Sequence, residues 1–277
     1  MKLSVAVIQF EITQGDPEAN WEHIETFIVR AAEERAEVVV FPEDCITGSI
    51  FGDESKLDKD QAALKRWREL AAKHRVDIVT GSVMEGTPEG NFNTSYYVDF
   101  KGEVLGQYRK NHLYHSETFL KPGTEAPVFD TQFGKAAMVI CWDMLFPEIF
   151  QRLKEQGVQI IYCPSYWYRE IAGTMGQENP RSEEQLLDAL CLARAVETNA
   201  ALIYCNAAGT AKYDNGSVDT LIGHSQIAMP VLGIIAELRH HHEKMFVKEI
   251  DLNNLKKAKK IYHGPLDRTI GANAEIK

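Results

Sequence analysis

Three short phrases in the sequence end an apolar run on a reactive side chain. "VVVFPEDC" places Glu43 just past Pro42, "YRKNHL" places Lys110 at the close of a strand-like segment, and "MVICWD" places Cys141 at the close of another. A carboxylate, an ammonium and a thiol are a sufficient set for acyl transfer. A free thiol has a pKa of about 8.5, so only a minority is thiolate at neutral pH. A neighbouring glutamate can accept its proton during attack. A lysine cation lowers the cost of the thiolate and of the tetrahedral oxyanion that follows. The backbone N–H of Trp142 could add a second oxyanion donor. Singly, each residue has an ordinary reading: Cys141 as a core thiol, Glu43 as a loop cap, Lys110 as a surface lysine. Their joint appearance at strand ends, where functional groups of helix-covered sheets collect, turns the reading towards chemistry.

The elements that must hold them follow from periodicity. "KLSVAVIQF" reads as a buried opening strand. "DPEANWEHIETFIVRAAEERA" reads as a helix capped by Asp16, with Pro17 in its first turn and Trp21, Ile24, Ile28 and Ala31 on one face. "EVVVFPE" is a short strand stopped by Pro42. The helix "DQAALKRWRELAAKHR" then leads to "VDIVTGSVME", expected as a single strand, so the first third runs β-α-β-α-β. "NFNTSYYVDF", "EVLGQYRK" and "APVFDTQFGKAAMVIC" read as consecutive strands with turns at "KG" and "FGK". Two helix–strand units follow, "FPEIFQRLKEQ" with "VQIIYCPS" and "SEEQLLDALCLARAVETN" with "AALIYCNAAG". "SQIAMPVLGIIAEL" and "KMFVKEIDL" are expected to close the chain as a hairpin turning at Pro230 and Gly233. No linker interrupts this order. The expectation is one α/β domain over residues 1–277 with mixed sheets, its core about 3–252 and a C-terminal tail from 253.

Composition removes several classes. With 40 acidic against 30 basic side chains the formal charge is −10, which disfavours a nucleic-acid surface. The basic run "NLKKAKKIY" reads as an exposed helix face. No apolar stretch is long enough for a membrane span, and the N-terminus lacks a signal-peptide cleavage pattern. Cys45, Cys141, Cys163, Cys191 and Cys205 form no CxxC pair and are odd in number. Neither disulfides nor a structural zinc site is expected, and a reducing, cytoplasmic location is. Cys163, Cys191 and Cys205 sit in apolar runs as core residues do. Cys45 and Cys141 lie beside acids.

The same phrases carry a resemblance. "VVVFPEDCITG", "GQYRKNHLYHSETFLKPG" and "AAMVICWDMLFPE" resemble, in order, the glutamate, lysine and cysteine segments of the carbon–nitrogen hydrolase family, the nitrilase superfamily. "CLARAVETNAALIYCNAAG", with Arg194, Glu197, Asn206 and Gly209, and "IGHSQIAMPVLGIIAE" resemble that family's later segments, so the likeness spans roughly residues 3 to 252. The resemblance implies a four-layer αββα sandwich with two mixed central sheets. It implies Glu43 as general base, Cys141 as nucleophile, Lys110 at the oxyanion, and Glu117 in "HSETFLKPG" as a second active-site glutamate positioning substrate or Lys110. It further implies a thioester acyl-enzyme, no metal or organic cofactor, and a homodimer or larger homo-oligomer.

The substrate is expected to be a small-molecule amide or N-carbamoyl compound, with nitriles the alternative electrophile. Family members that hydrolyse N-carbamoyl amino acids can carry arginines just after the nucleophile, where this chain has Met144 and Leu145. A strongly anionic substrate is therefore less attractive, although Arg169 in "SYWYRE" could bring a charge from another loop. Trp142, Tyr166, Trp167 and Tyr168 could line an apolar or cation-tolerant pocket; core or dimer interface is the other reading for them. The loops "ITGSIFGD" and "PSYWYREIAGTMGQENPRS" are expected to shape it, the second as a lid or assembly surface. Two rival classes are a Cys–His hydrolase using His112, His115 or the "HHH" run His240–His242, and a metal-binding or interaction protein built on that run. Adjacent histidines point apart on regular structure, and the run reads instead as a solvated hairpin connection.

Overall fold

Alternation in the first strand sets the architecture. In β1 (Lys2–Gln9), Leu3, Val5 and Val7 face one way, Ala6 and Ile8 the other, and all five are fully buried. A strand buried on both faces must lie in a sheet covered on both sides. The computed structural model, which describes residues 1–213 and 216–262, supplies both covers. Leu3, Val5 and Val7 share a core with residues of a second sheet, while Ala6 and Ile8 pack with helical residues such as Ile24, Ile28 and Leu70.

The chain continues with α1 (Pro17–Glu33), β2 (Val38–Val40), α2 (Ala62–His74), β3 (Asp77–Val79), β4 (Val83–Thr87), β5 (Gly90–Val98) and β6 (Val104–Arg109). These, with β15 (below), form the first sheet, in the order β15-β1-β2-β3-β5-β4 with β6 on β5, and α1 and α2 cover it. Next come β7 (Phe129–Thr131), β8 (Gly134–Met138), α3 (Pro147–Glu155), β9 (Ile160–Ser165), α4 (Ser182–Thr198) and β10 (Ala201–Asn206). A small hairpin, β11 (Thr210–Lys212) and β12 (Val218–Thr220), precedes β13 (Gln226–Met229), β14 (Gly233–Glu237), β15 (Lys244–Asp251) and α5 (Asn253–Tyr262). The second sheet runs β14-β13-β10-β9-β8-β7, covered by α3 and α4. The layers are therefore helix, sheet, sheet, helix, as the resemblance implied.

Several local expectations are corrected. The segment 76–85 is two strands, because Gly81 turns the chain at φ +70°, where a Cβ would stand 2.1 Å from the Pro42 carbonyl oxygen. The closing hairpin is β13–β14 alone; β15 crosses to the first sheet and pairs antiparallel along the whole of β1. The segment from 253 begins as a helix whose Leu255 and Ala258 are buried, with Leu255 in the core between the sheets; residues 263–277 lie outside the described residues. What matters for the site is direction. β1, β2 and β3 run parallel, as do β8, β9 and β10, so the residues following β2, β8 and β9 emerge beyond carboxyl ends of strands. The antiparallel pairs β3–β5 and β5–β6 return β6 to the direction of β3 and deliver Lys110 at the same end.

Candidate active site

Glu43 and Lys110 are held by bonds that reach from one strand end to another. Glu43 is buried; its Oε1 accepts from Lys110 Nζ at 2.8 Å and from Asn93 Nδ2 at 2.9 Å, and its Oε2 accepts from the Tyr166 backbone N–H at 3.0 Å. Lys110 Nζ also donates to Glu117, whose Oε1 and Oε2 lie 3.1 and 2.9 Å away. Glu117 is held in turn by Asn93 Nδ2 at 3.1 Å and by the Tyr114 backbone N–H at 2.6 Å. One ammonium thus serves two carboxylates, and one asparagine amide bridges the same pair.

Cys141 opens a 3-10 turn, Cys141–Leu145, in a left-handed conformation at φ +45°. That region costs an L-residue about 1–2 kcal/mol and persists only where surroundings impose it. Here Asp143, fully buried, imposes it. Its Oδ2 accepts from the Ile140 N–H at 2.9 Å and from Tyr108 Oη at 2.6 Å; its Oδ1 accepts from the His112 N–H at 2.8 Å. Tyr108 and His112 flank Lys110, so this one carboxylate ties the lysine segment to the cysteine turn across the two sheets. At the turn's far end the Arg194 guanidinium donates to the Met144 carbonyl through Nε at 3.0 Å and Nη2 at 2.9 Å.

The electrostatics follow from burial. Burial raises the Cys141 thiol well above its ordinary pKa; the Glu43 carboxylate raises it further, and Lys110 and the Tyr166 N–H oppose them. The resting group is the thiol. Burial also raises Glu43, against the pull of Lys110 and with the push of Glu117. For Lys110 burial works against the charge, but Glu43, Glu117 and Cys141 outweigh it and hold the ammonium well above the usual lysine range. A thiol, a carboxylate raised towards neutrality and a lasting cation meet in one buried pocket.

Those three groups and Glu117 line one cavity, walled on its other sides by Tyr114, Trp142, Tyr166 and Tyr168. A model of the family described as "Carbon-nitrogen hydrolase" matches residues 4–260. The chain belongs to the carbon–nitrogen hydrolase family. It is similar to 2-oxoglutaramate amidase of Bacillus subtilis, at 30% identity over 257 residues, covering 91% of this chain and 92% of that one. It is 27% identical over 272 residues to N-carbamoylputrescine amidase of Oryza sativa subsp. japonica, covering 92% and 88%. In structure it is similar to Nit3 of Saccharomyces cerevisiae, a member of branch 10 of the nitrilase superfamily, with a TM-score of 0.81, 26% identity, and coverage of 97% and 96%.

In this carbon–nitrogen hydrolase the expected substrate-facing aromatics divide by backbone alternation. Tyr166 and Tyr168 line the cavity together with Trp142. Trp167, between them, does not: it is fully buried behind the wall, with Nε1 donating to Glu183 at 2.8 Å and its ring 5.3 Å from Trp142. Arg169 brings no charge to the cavity either. It pairs with Glu184 at 3.3 Å and is absent from the lining. The histidines stay outside as well: His112 stacks on Phe146 at 3.7 Å, and His240–His242 link β14 to β15, with Gln9 Nε2 donating to the His240 and His242 carbonyls. Among the described residues no group of three or more metal-binding side chains assembles. Cys45, the other cysteine beside an acid, donates to the Thr80 carbonyl at 3.4 Å and lies off the cavity.

Sequence reasoning missed Asn93, Asp143, Asp44, Tyr213 and Asp219. The first two hold the reactive groups, and the other three line the cavity. Asp143 had a signal, since an acid two residues past a strand-end cysteine can reach back to its own turn. Asn93 and Asp219 had none, because their places depend on strand register and on a hairpin far along the chain.

Proposed function

We propose that this hydrolase cleaves the amide or N-carbamoyl bond of a small molecule through a thioester on Cys141. The meeting of Cys141, Glu43 and Lys110 in one buried cavity is the observation that carries the reading. As Sγ attacks the carbonyl carbon its proton passes to Glu43, and Lys110 and the Trp142 N–H face the oxyanion. That N–H lies in the first turn, where 3-10 geometry offers it no acceptor. Collapse breaks the C–N bond, and ammonia or an amine leaves with the proton from Glu43. Water then attacks the thioester, giving its proton to Glu43, and the thiol is restored as the carboxylic or carbamic acid departs. Glu117 positions Lys110 and is not itself a proton acceptor in this scheme.

Ammonia release from panels of primary amides, N-carbamoyl compounds and nitriles tests this, alongside intact-mass detection of an acyl adduct on Cys141. Turnover of nitriles alone, or an adduct on another residue, would overturn it. The five cysteines are all unpaired, which supports work in a reducing compartment such as the cytoplasm. A homodimer is the proposed assembly, supported by exposed Val231 and Leu232 at the β13–β14 turn; a monomer in sedimentation velocity would refute it.

A further inference from the structure

The cavity has a charge balance that the reaction does not use. Lys110 is its one basic lining residue among those described, and both Glu43 and Glu117 already claim it. Beyond that cluster the remaining charged residues of the wall are Asp44 and Asp219. Asp44 is 7% exposed, in a left-handed conformation at φ +57°, directly after the base. Its Oδ1 is 3.5 Å from Ser82 Oγ, and its Oδ2 has no hydrogen-bond partner among the described residues. A buried carboxyl group with an oxygen open to a cavity and no bond to fill it is an incomplete site, because buried polar atoms are ordinarily hydrogen-bonded. Burial, and then the carboxylates of Glu43 and Glu117, push Asp44 well above the ordinary range, against the pull of Lys110 and the Ser82 hydroxyl.

Asp219 stands on β12, half-buried, with Oδ2 accepting from Tyr213 Oη at 2.9 Å. It is less deeply buried than Asp44. The wall they share is aromatic: both acids act on Tyr166 and Tyr213, and Tyr114 lies edge-on to Trp142 at 4.8 Å and to Tyr168 at 6.2 Å; such faces attract cations. Lys56 and Lys212 line a neighbouring groove that shares Phe51 and Tyr213 with the cavity wall; those two rings meet edge-on at 4.5 Å. Among the described residues no arginine, and no lysine but Lys110, lines the cavity to receive a carboxylate at the far end of a substrate.

We propose that the substrate carries a cationic group, an ammonium or guanidinium, away from its scissile C–N bond, and that Asp44 and Asp219 select it. The inference rests on the hydrolase reading above but concerns binding alone. A cation supplies the partner Asp44 lacks and stacks among the tyrosines. A carboxylate in that place meets two acids and no counter-charge, which rejects it by repulsion as well as by missing contacts.

The test uses amides and N-carbamoyl compounds of equal chain length ending in ammonium, methyl or carboxylate. With wild-type enzyme, kcat/KM for the ammonium member should exceed that for the carboxylate member by about 100-fold. In Asp219→Asn and in Asp44→Asn the ammonium-over-methyl ratio should drop about tenfold, chiefly through KM. A ratio taken within one preparation cancels any loss of folded fraction. Preference for the carboxylate member, or ratios unchanged in both variants, would overturn the proposal while leaving the hydrolase reading intact. Calorimetric binding of the same series to Cys141→Ala separates the two: selective binding of the ammonium member there, with no turnover by wild type, upholds the cation site and sinks the hydrolase reading.

Discussion

At its inner end the cavity is made of residues that close β2, β6 and β8; at its mouth it is made of Phe51 and of Tyr213 and Asp219 around a small hairpin. The inner residues are cross-linked. Every oxygen of Glu43 and Glu117 has a donor, Lys110 has two carboxylates, and Asp143 bonds to segments from both sheets. The outer residues are half-buried or exposed, and tyrosine hydroxyls link them: Tyr213 Oη donates to Asp219 Oδ2 at 2.9 Å and lies 3.1 Å from the Oη of buried Tyr166, which accepts from Gln14 Nε2 at 2.6 Å. A reaction centre needs groups fixed to fractions of an ångström, which packed strand ends provide. A substrate end needs only complementary charge and shape, which loops provide and can vary.

If that contrast is right, the largest effects belong to the inner end. Glu43→Gln should lower kcat by about 10³-fold, within the range for loss of a general base, while leaving far-ultraviolet circular dichroism unchanged. A Cys–His pair carrying the activity would instead leave most of it. The same group sets the acid limb of the pH profile. Glu43 must be ionised to accept the proton, and burial raises it above its ordinary 4.5. Activity should therefore fall, as pH is lowered, through a value above 4.5. A kcat/KM profile still flat below the ordinary glutamate range would contradict the assignment.

The next effect tests whether the inner end is rigid because it is cross-linked. Asp143→Ala removes the acceptor for Tyr108 Oη and for the Ile140 and His112 N–H groups, leaving buried donors unpaired. A loss of about 3 kcal/mol is expected, seen as a thermal midpoint lower by roughly 5–10 °C. With the lysine segment and the cysteine turn no longer tied, kcat should fall about 100-fold at unchanged KM. A stability loss without a kcat loss would mean that the turn holds Cys141 unaided.

The contrast also explains what was legible in the sequence. Glu43, Lys110 and Cys141 each end an apolar run, so a local pattern marks them. The four layers were legible only through the resemblance: "VVV" reads as a buried strand, and the structure is what shows Val38 and Val40 facing the second sheet and Val39 the helices. The destination of β15 was not, since nothing local says which sheet a last strand joins. Asn93 sits in "NFNTSYYV" without distinction until antiparallel register sets its carbonyl 2.8 Å from the Lys110 N–H. Trp167 and Arg169 were read with the cavity because "SYWYRE" was read as one patch. Extended backbone sends neighbours to opposite sides, and Trp167 went to the core. Asp44 was hidden by Glu43 beside it, since one acid after the strand already satisfied the chemical reading.

The smallest effect should come from the mouth. Tyr213→Phe deletes one hydroxyl from the outer chain and keeps the ring that meets Phe51 edge-on. Tyr166 Oη retains Gln14 as a partner, and half-buried Asp219 can exchange the lost donor for water. The net cost of such a bond is about 1 kcal/mol, so KM for an ammonium-bearing substrate should rise about fivefold with kcat within twofold. Steady-state kinetics on that substrate read both numbers. A 100-fold fall in kcat would place Tyr213 among the groups that act on the reacting atoms, and the division of the cavity into a fixed inner end and an adaptable mouth would fail there.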